Sequence, residues 1–377
     1  MKNVFGKITM GLALGASLNA FAAGTTAGTT VDLSASVSFS TGGVSQTPSS
    51  CANGSGCDTA RFVVDRKVIF TLTKVDSAYV TSHVVPGQTN DGSANVAYLT
   101  YDLYNTSNAT EDFILTPTNQ NGGTDAFAGT DSGTSHDPTL AAYVASVTGT
   151  GTTFNGSTTD SATRVSNLAA DTHVHIYVVA TIPSTALDAE LIGVNLEAKA
   201  AVAGGGSAEV ATSTDSRLTQ DVVLAETTGT GLGDSNYDGK IQALDAFKVV
   251  ASSVTITKSS YVVWDPIDCT GSAPIASTNT EDSSCTIGHP KRIPGAVVHY
   301  EVTVTNSGSL DATSLTTTDT VDSNMTYLTG SSYWDGTAQN DSTGPNTTYS
   351  GGVVTTIIST LTHGPTSKVT KFRATVN

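Results

Sequence analysis

The chain has 377 residues, with Lys+Arg 17 against Asp+Glu 33 for a net charge of −16, and charged residues make up only 13% of it. Soluble domains usually carry about 25% charged residues, so this surface rests on Thr, Ser and Gly, a composition that favours β structure over long helices. A chain this acidic cannot hold phosphates by releasing their counterions, which excludes nucleic acid and anionic lipid as partners.

Met1 to Lys7 carries two lysines, the run from Ile8 to Leu18 is apolar, and Asn19-Ala20-Phe21-Ala22 follows. That is the pattern of a secretory signal peptide over residues 1–22, with Ala23 as the mature start. Removing 22 of 377 residues leaves 355, and losing Lys2 and Lys7 takes the charge from −16 to −18. The apolar run is too short to span a bilayer, and no second hydrophobic span occurs. The expected location is secreted, at the cell surface or extracellular, with no membrane insertion.

Val31, Leu33, Ala35, Val37 and Phe39 alternate with Asp32 and serines, the pattern of a half-buried strand. Such a strand near the mature N-terminus can pair within its own domain, or be donated to a neighbouring subunit as an assembly strand. Cys51 and Cys57 would close a Gly-rich loop, and Cys269 and Cys285 a longer polar one. In an exported chain these two local groups favour the disulfides Cys51–Cys57 and Cys269–Cys285 over a zinc site, whose ligand spacing they lack. Further strands are expected over Arg61–Val75, Val96–Tyr104, Glu111–Thr116, Ala141–Thr148, His173–Ile182 and Leu191–Val202, separated by Gly, Asn, Asp and Ser turns. Asp125, Asp131 and Asp137 lie six apart in a Gly/Thr loop, as a solvated acidic loop or part of a calcium site. His173 and His175 share a strand face; with no third ligand nearby in sequence they read as ordinary exposed histidines of an antiparallel sheet, the alternative being half of a zinc or copper site. Gly204-Gly205-Gly206-Ser207 marks a junction.

Asp234, Asn236, Asp238, Lys240 (through its carbonyl), Gln242 and Asp245 follow the spacing of an EF-hand calcium loop, with Gly239 at its turn. The form resembles the dockerin variant, which ends in Asp. Ile241, Leu244, Phe247 and Val250 recur near helical spacing and predict a short helix that carries Asp245 inward. Gly229, Gly231 and Gly233 read as a flexible lead-in. The cofactor expected is a structural calcium ion; the alternative is an acidic turn between domains.

A second β block begins near Val254, with clear strands over Val297–Thr305 and Lys368–Val376. The blocks echo each other: Tyr101 to Ala109 against Tyr300 to Gly308, and Leu168 ahead of a strand against Leu361 ahead of another. Pro294-Gly295 leads into Val298, Tyr300, Val302 and Val304 and then Asn306-Ser307-Gly308; Thr318 to Tyr327 and Lys371 to Val376 follow. These residues resemble the "domain of unknown function 11" conserved-repeat family of bacterial surface proteins, over about residues 254–377. The resemblance implies an immunoglobulin-like sandwich without catalytic residues. The cysteine loop at 269–285 departs from it. The fold class expected is therefore all-β. Residues 23–203 would form one immunoglobulin-like antiparallel β-sandwich and 254–377 another, joined across 204–253 by a loop with the calcium motif and a short helix.

No G-x-S-x-G, H-E-x-x-H, phosphate-binding or dinucleotide-binding loop occurs, and an enzyme is not expected. The function predicted is an exported structural subunit of a bacterial cell-surface layer or extracellular fibre, self-associating by strand addition. A monomeric adhesin or carbohydrate-binding module, with a glycan as partner, is the alternative.

Overall fold

The computed structural model describes residues 24–32, 35–47, 61–91, 93–144, 154, 163–275, 280–286 and 288–377. Among them the chain is all-β, and none of its helices is long and apolar enough to cross a membrane. Short strands open it: β1 (Thr30–Asp32), β2 (Phe39–Thr41), β3 (Val44–Gln46), β4 (Arg61–Val63) and β5 (Arg66–Val68). The first sandwich is then built from β6 (Phe70–Lys74), β7 (Ala97–Asn105), β8 (Glu111–Asn119), β9 (Thr139–Val144), β10 (Arg164–Leu168), β11 (Thr172–Thr181) and β12 (Leu191–Ala201). The short β13 (Val222–Leu224) pairs β5 in parallel, and β14 (Lys240–Lys248) completes the set.

Two four-stranded sheets, ordered β6-β7-β11-β9 and β10-β8-β12-β14, face each other. Strand alternation sends Leu99, Tyr101, Leu103, Val174, Ile176 and Val178 from one sheet against Phe113, Leu115, Val194, Leu196, Ala198 and Phe247 from the other. Phe70 and Phe113 meet edge to face across the gap at 4.8 Å. Each fully buried Leu, Ile or Phe side chain here contributes about 1.5–3 kcal/mol of transfer free energy.

The second sandwich uses β15 (Val254–Trp264), β16 (Val297–Asn306), β17 (Ala312–Thr320), β18 (Met325–Tyr327), β19 (Tyr333–Trp334), β20 (Thr337–Ala338), β21 (Thr347–Ser350), β22 (Val353–Leu361) and β23 (Thr366–Val376). A sheet ordered β15-β16-β23-β19-β20, with β18 also on β23, faces the sheet β17-β22-β21. Its core is smaller: Val302, Tyr327, Val354 and Phe372 in one cluster, Val304, Ala312, Ile358 and Leu361 in another.

The two sandwiches share a pattern. Asn105 ends β7 fully buried; its Nδ2 donates to the carbonyls of Ala109 and Leu168, and its Oδ1 accepts from the Ser107 amide. Asn306 ends β16 equally buried, donating to the carbonyls of Leu310 and Leu361 and accepting from the Gly308 amide. The echo between the blocks is thus a physical equivalence, offset by two residues from the alignment the sequence suggests. In both, the strand ends in an Asn-centred turn, crosses to the other sheet (β8 or β17), and a later strand (β11 or β23) returns beside it.

Four expectations need correction. Residues 240–248 form no helix; they are β14, paired with β12 from Leu191↔Lys248 to Lys199↔Lys240. Ile241, Ala243, Asp245 and Phe247 also alternate at period two, and the waiting edge of β12 selects that period. The segment expected as a linker therefore supplies a core strand, and only residues 250–253 lie between the sandwiches. There Asp188 Oδ1 accepts from the Ala251 amide, and a Cβ on Gly308 would sit 2.3 Å from the Ala251 carbonyl oxygen. Nor are Gly229 and Gly231 a flexible lead-in. A Cβ at either would lie 2.1 Å from an atom of Gln242, so their glycines permit close packing on β14.

The fourth concerns the run Val31–Ser40, whose described residues do not form one strand. β1 pairs β4 over three residues only, and β2 pairs β3 as a hairpin. Val37, Phe39 and Val44 are left 59%, 49% and 60% exposed, and Ala35 is exposed as well. Leu33 lies outside the described residues.

Candidate functional site

The calcium-type residues are scattered by the β14 strand. Asp234 Oδ2 accepts from the Gly229 amide at 2.5 Å, Asn236 Oδ1 from the Thr228 amide at 2.8 Å, and Asp238 Oδ1 from the Lys240 amide at 3.2 Å. Lys240 extends its ammonium to Glu197 at 3.4 Å, and Gln242 bonds Glu197 and Asn195. An extended strand rises about 3.3 Å per residue, so Asp245 stands ~16 Å along the chain from Lys240, where a helix would have left it half as far. Asp245 lies on the core face, fully buried. Burial first, and then the neighbouring Asp76 carboxylate, push its pKa up to about 8. A calcium ion at this loop would have to be held by Asp234, Asn236 and Asp238 without Asp245.

Asp125 and Asp131 are buried acceptors, not solvated ones. Asp125 takes the amides of Phe127 and Gly129 and the Tyr79 hydroxyl, while Asp131 takes the amides of Gly122, Gly133 and Gly193. They knit the 120–133 loop to β12. Asp137 stands apart, its pKa raised by burial and by Asp131.

Cys269 and Cys285 are joined in a disulfide, and Cys51 and Cys57 lie outside the described residues. Among the described residues of the loop that the disulfide closes, Pro274 reaches β23. Arg373 Nη1 donates to the Pro274 carbonyl at 2.5 Å, and His299, paired opposite Arg373, is 1% exposed. Burial, then the charges of Arg373 and Lys371, lower the His299 pKa to about 4.

His173 and His175 gain from the fold what the sequence lacks. β11 runs antiparallel to β7 in unbroken register, pairing His175 with Asp102 and His173 with Tyr104. Val174 and Ile176 face the core, so both imidazoles and the carboxylate project from the outer face together. His173 Nδ1 lies 2.8 Å and His175 Nε2 3.7 Å from Asp102 Oδ1. Asp102 sits on a strand the sequence predicts, but its meeting with residues about 71 positions away depends on strand register, which leaves no local trace.

The last feature is an edge. β15 bonds β16 on one side, and among the described residues no strand pairs its other side. It is eleven residues long and exposed over Val254–Tyr261, with Ile256 60% exposed. The edge of β14 in the first sandwich is by contrast closed by Val80, which bonds Ala246 and Lys248. Lys258, pointing inward from β15 to Asp319 at 2.7 Å, is a charge of the kind that blunts edges.

No protein-family profile matches the chain, and no curated protein matches it. Among solved structures it is similar to a family 123 glycoside hydrolase from Clostridium perfringens, described for glycolipid glycan hydrolysis, at 8% identity. That match covers 48% of this chain but spans only 27% of the other, with a TM-score of 0.19. A likeness at that TM-score carries no argument about function.

Proposed function

We propose that the protein is an exported structural subunit of a bacterial cell-surface layer or extracellular fibre, assembling by strand addition. The observation that carries this reading is the long exposed edge of β15, left unpaired among the described residues. An open edge offers a row of main-chain donors and acceptors to a second chain. The donor is the N-terminal segment, whose Val37, Phe39 and Val44 are exposed instead of packed on their own sandwich. A segment at one end of the subunit docking on an edge of the other sandwich makes a head-to-tail contact, and such contacts propagate when the rotation does not close.

Two variants of the mature chain test it. Deleting residues 23–40 removes the donor, and Ile256→Lys adds a charge to the acceptor edge where the side chain is already exposed. Each should leave a folded monomer that fails to form filaments under negative stain, and mixing the two should not restore long assemblies. Unchanged assembly by both variants would overturn the reading, as would a wild-type chain that stays monomeric at every concentration.

A further inference from the structure

We infer that Asp102, His173 and His175 form a binding site for a zinc or copper(II) ion on the outer face of the first sandwich. The three donor atoms, Asp102 Oδ1, His173 Nδ1 and His175 Nε2, all lie within 4.8 Å of one another. In a tetrahedral site with bonds of ~2.0–2.1 Å, ligand atoms stand about 3.4 Å apart. The observed separations of 2.8 and 3.7 Å from the carboxylate bracket that distance. The third pair, His173 Nδ1 and His175 Nε2, also lies within 4.8 Å.

The frame is rigid. Asp102 and His175 are direct cross-strand partners inside two central strands, and His173 is one pleat further along. Ligands on paired strands keep their geometry better than ligands on loops. The two imidazole rings stand nearly perpendicular, 85° apart, with their centroids 5.9 Å from each other. Tyr104, opposite His173, packs its ring against that imidazole at 6.2 Å.

The donor set decides the class of ion. Two imidazoles and one carboxylate suit zinc and copper(II), whereas calcium and magnesium take oxygen ligands. The His173 side chain is 54% exposed, Asp102 30% and His175 13%, so the site faces solvent and leaves at least one coordination position open. Three protein ligands with a fourth position free can hold water or a donor from another molecule. The strongly acidic chain draws cations to its surface.

The test uses the untagged mature chain, stripped with chelator and titrated with zinc against a chromophoric competitor. One equivalent should bind. His175→Ala and Asp102→Asn should each weaken binding by about tenfold or more, while His83→Ala, on a loop elsewhere, should not. His173→Ala gives an independent variant at a half-exposed side chain, where folding is least at risk. With copper(II), electron paramagnetic resonance should show nitrogen coupling from two imidazoles in the parent and from one in His175→Ala. Absence of saturable zinc binding tighter than ~1 mM, or binding unchanged by both His173→Ala and Asp102→Asn, would overturn the site.

Discussion

Asp245 shows how one residue can serve a purpose other than its motif suggests. As the last position of a calcium-type loop it should be an ionised ligand; in the fold it is a buried acid on the core face, its pKa raised by burial and by the neighbouring Asp76. Its folded pKa of about 8 stands far above the ordinary ~3.9 of the unfolded chain. Between those values the folded state binds a proton that the unfolded state does not. Its contribution is therefore complete below about pH 4 and is lost as pH rises towards 8. Asp245→Asn, neutral at every pH, should raise the melting temperature at pH 8 more than at pH 5; a pH-independent difference would count against the buried, protonated acid. His299 has the opposite sign: its pKa is depressed to about 4, so its contribution is lost as pH falls from about 6.5 through 4. Asn306 is a purely structural case. Asn306→Ala would strand the carbonyls of Leu310 and Leu361 and the Gly308 amide, at a cost of about 3 kcal/mol in denaturant unfolding. A cost below about 1 kcal/mol would mean that water replaces those bonds freely.

At the scale of elements, Pro294-Gly295 was legible as a turn. Gly295 has φ +85°, and the Ala296 amide closes back on the Ile293 carbonyl at 2.9 Å, as a Pro-Gly type II turn requires. The disulfide-closed loop was legible as a loop, but the contact it makes with β23 was not. Its Pro274 carbonyl accepts from Arg373 on a sheet face that alternation alone would leave in solvent, where both Arg373 and His299 are buried. Replacing Cys269 and Cys285 together by Ser should cost about 3 kcal/mol for a closed loop of this length. It should also bring the His299 titration, followed by NMR, from about 4 back towards the ordinary imidazole range. A His299 titration that stays at about 4 in the double variant would show that its burial does not depend on the disulfide.

At the scale of the whole molecule, two sandwiches that share an Asn-turn crossover are joined by a short, hydrogen-bonded connection. Asp188 of the first bonds Ala251 between the two and Ser309 of the second. If the β15 edge and the exposed N-terminal segment are complementary, the subunit carries its acceptor and donor on different sandwiches. A synthetic peptide of residues 31–40 added to the 23–40 deletion should then bind with 1:1 stoichiometry and raise its melting temperature, because a ligand confined to the folded state stabilises it. A peptide that neither binds nor shifts the midpoint would leave the edge without this partner.

The sequence by itself determined what is local: an all-β chain, the alternation that assigns each strand an inner and outer face, the Pro-Gly and Asn turns, and the pairing of Cys269 with Cys285. Period-two patterns and turn residues act within a few positions, so they can be read from the chain alone. Tertiary structure decided the rest. Residues 240–248 satisfy both a helical and a strand period, and only the free edge of β12 chooses between them. The N-terminal segment carries a clean strand pattern, yet among its described residues Val37, Phe39 and Val44 are left exposed. Asp102 joins His173 and His175 because β7 and β11 pair in one register. A slip of one residue would turn those side chains to the opposite face, and that register is set by the buried face of the whole sandwich.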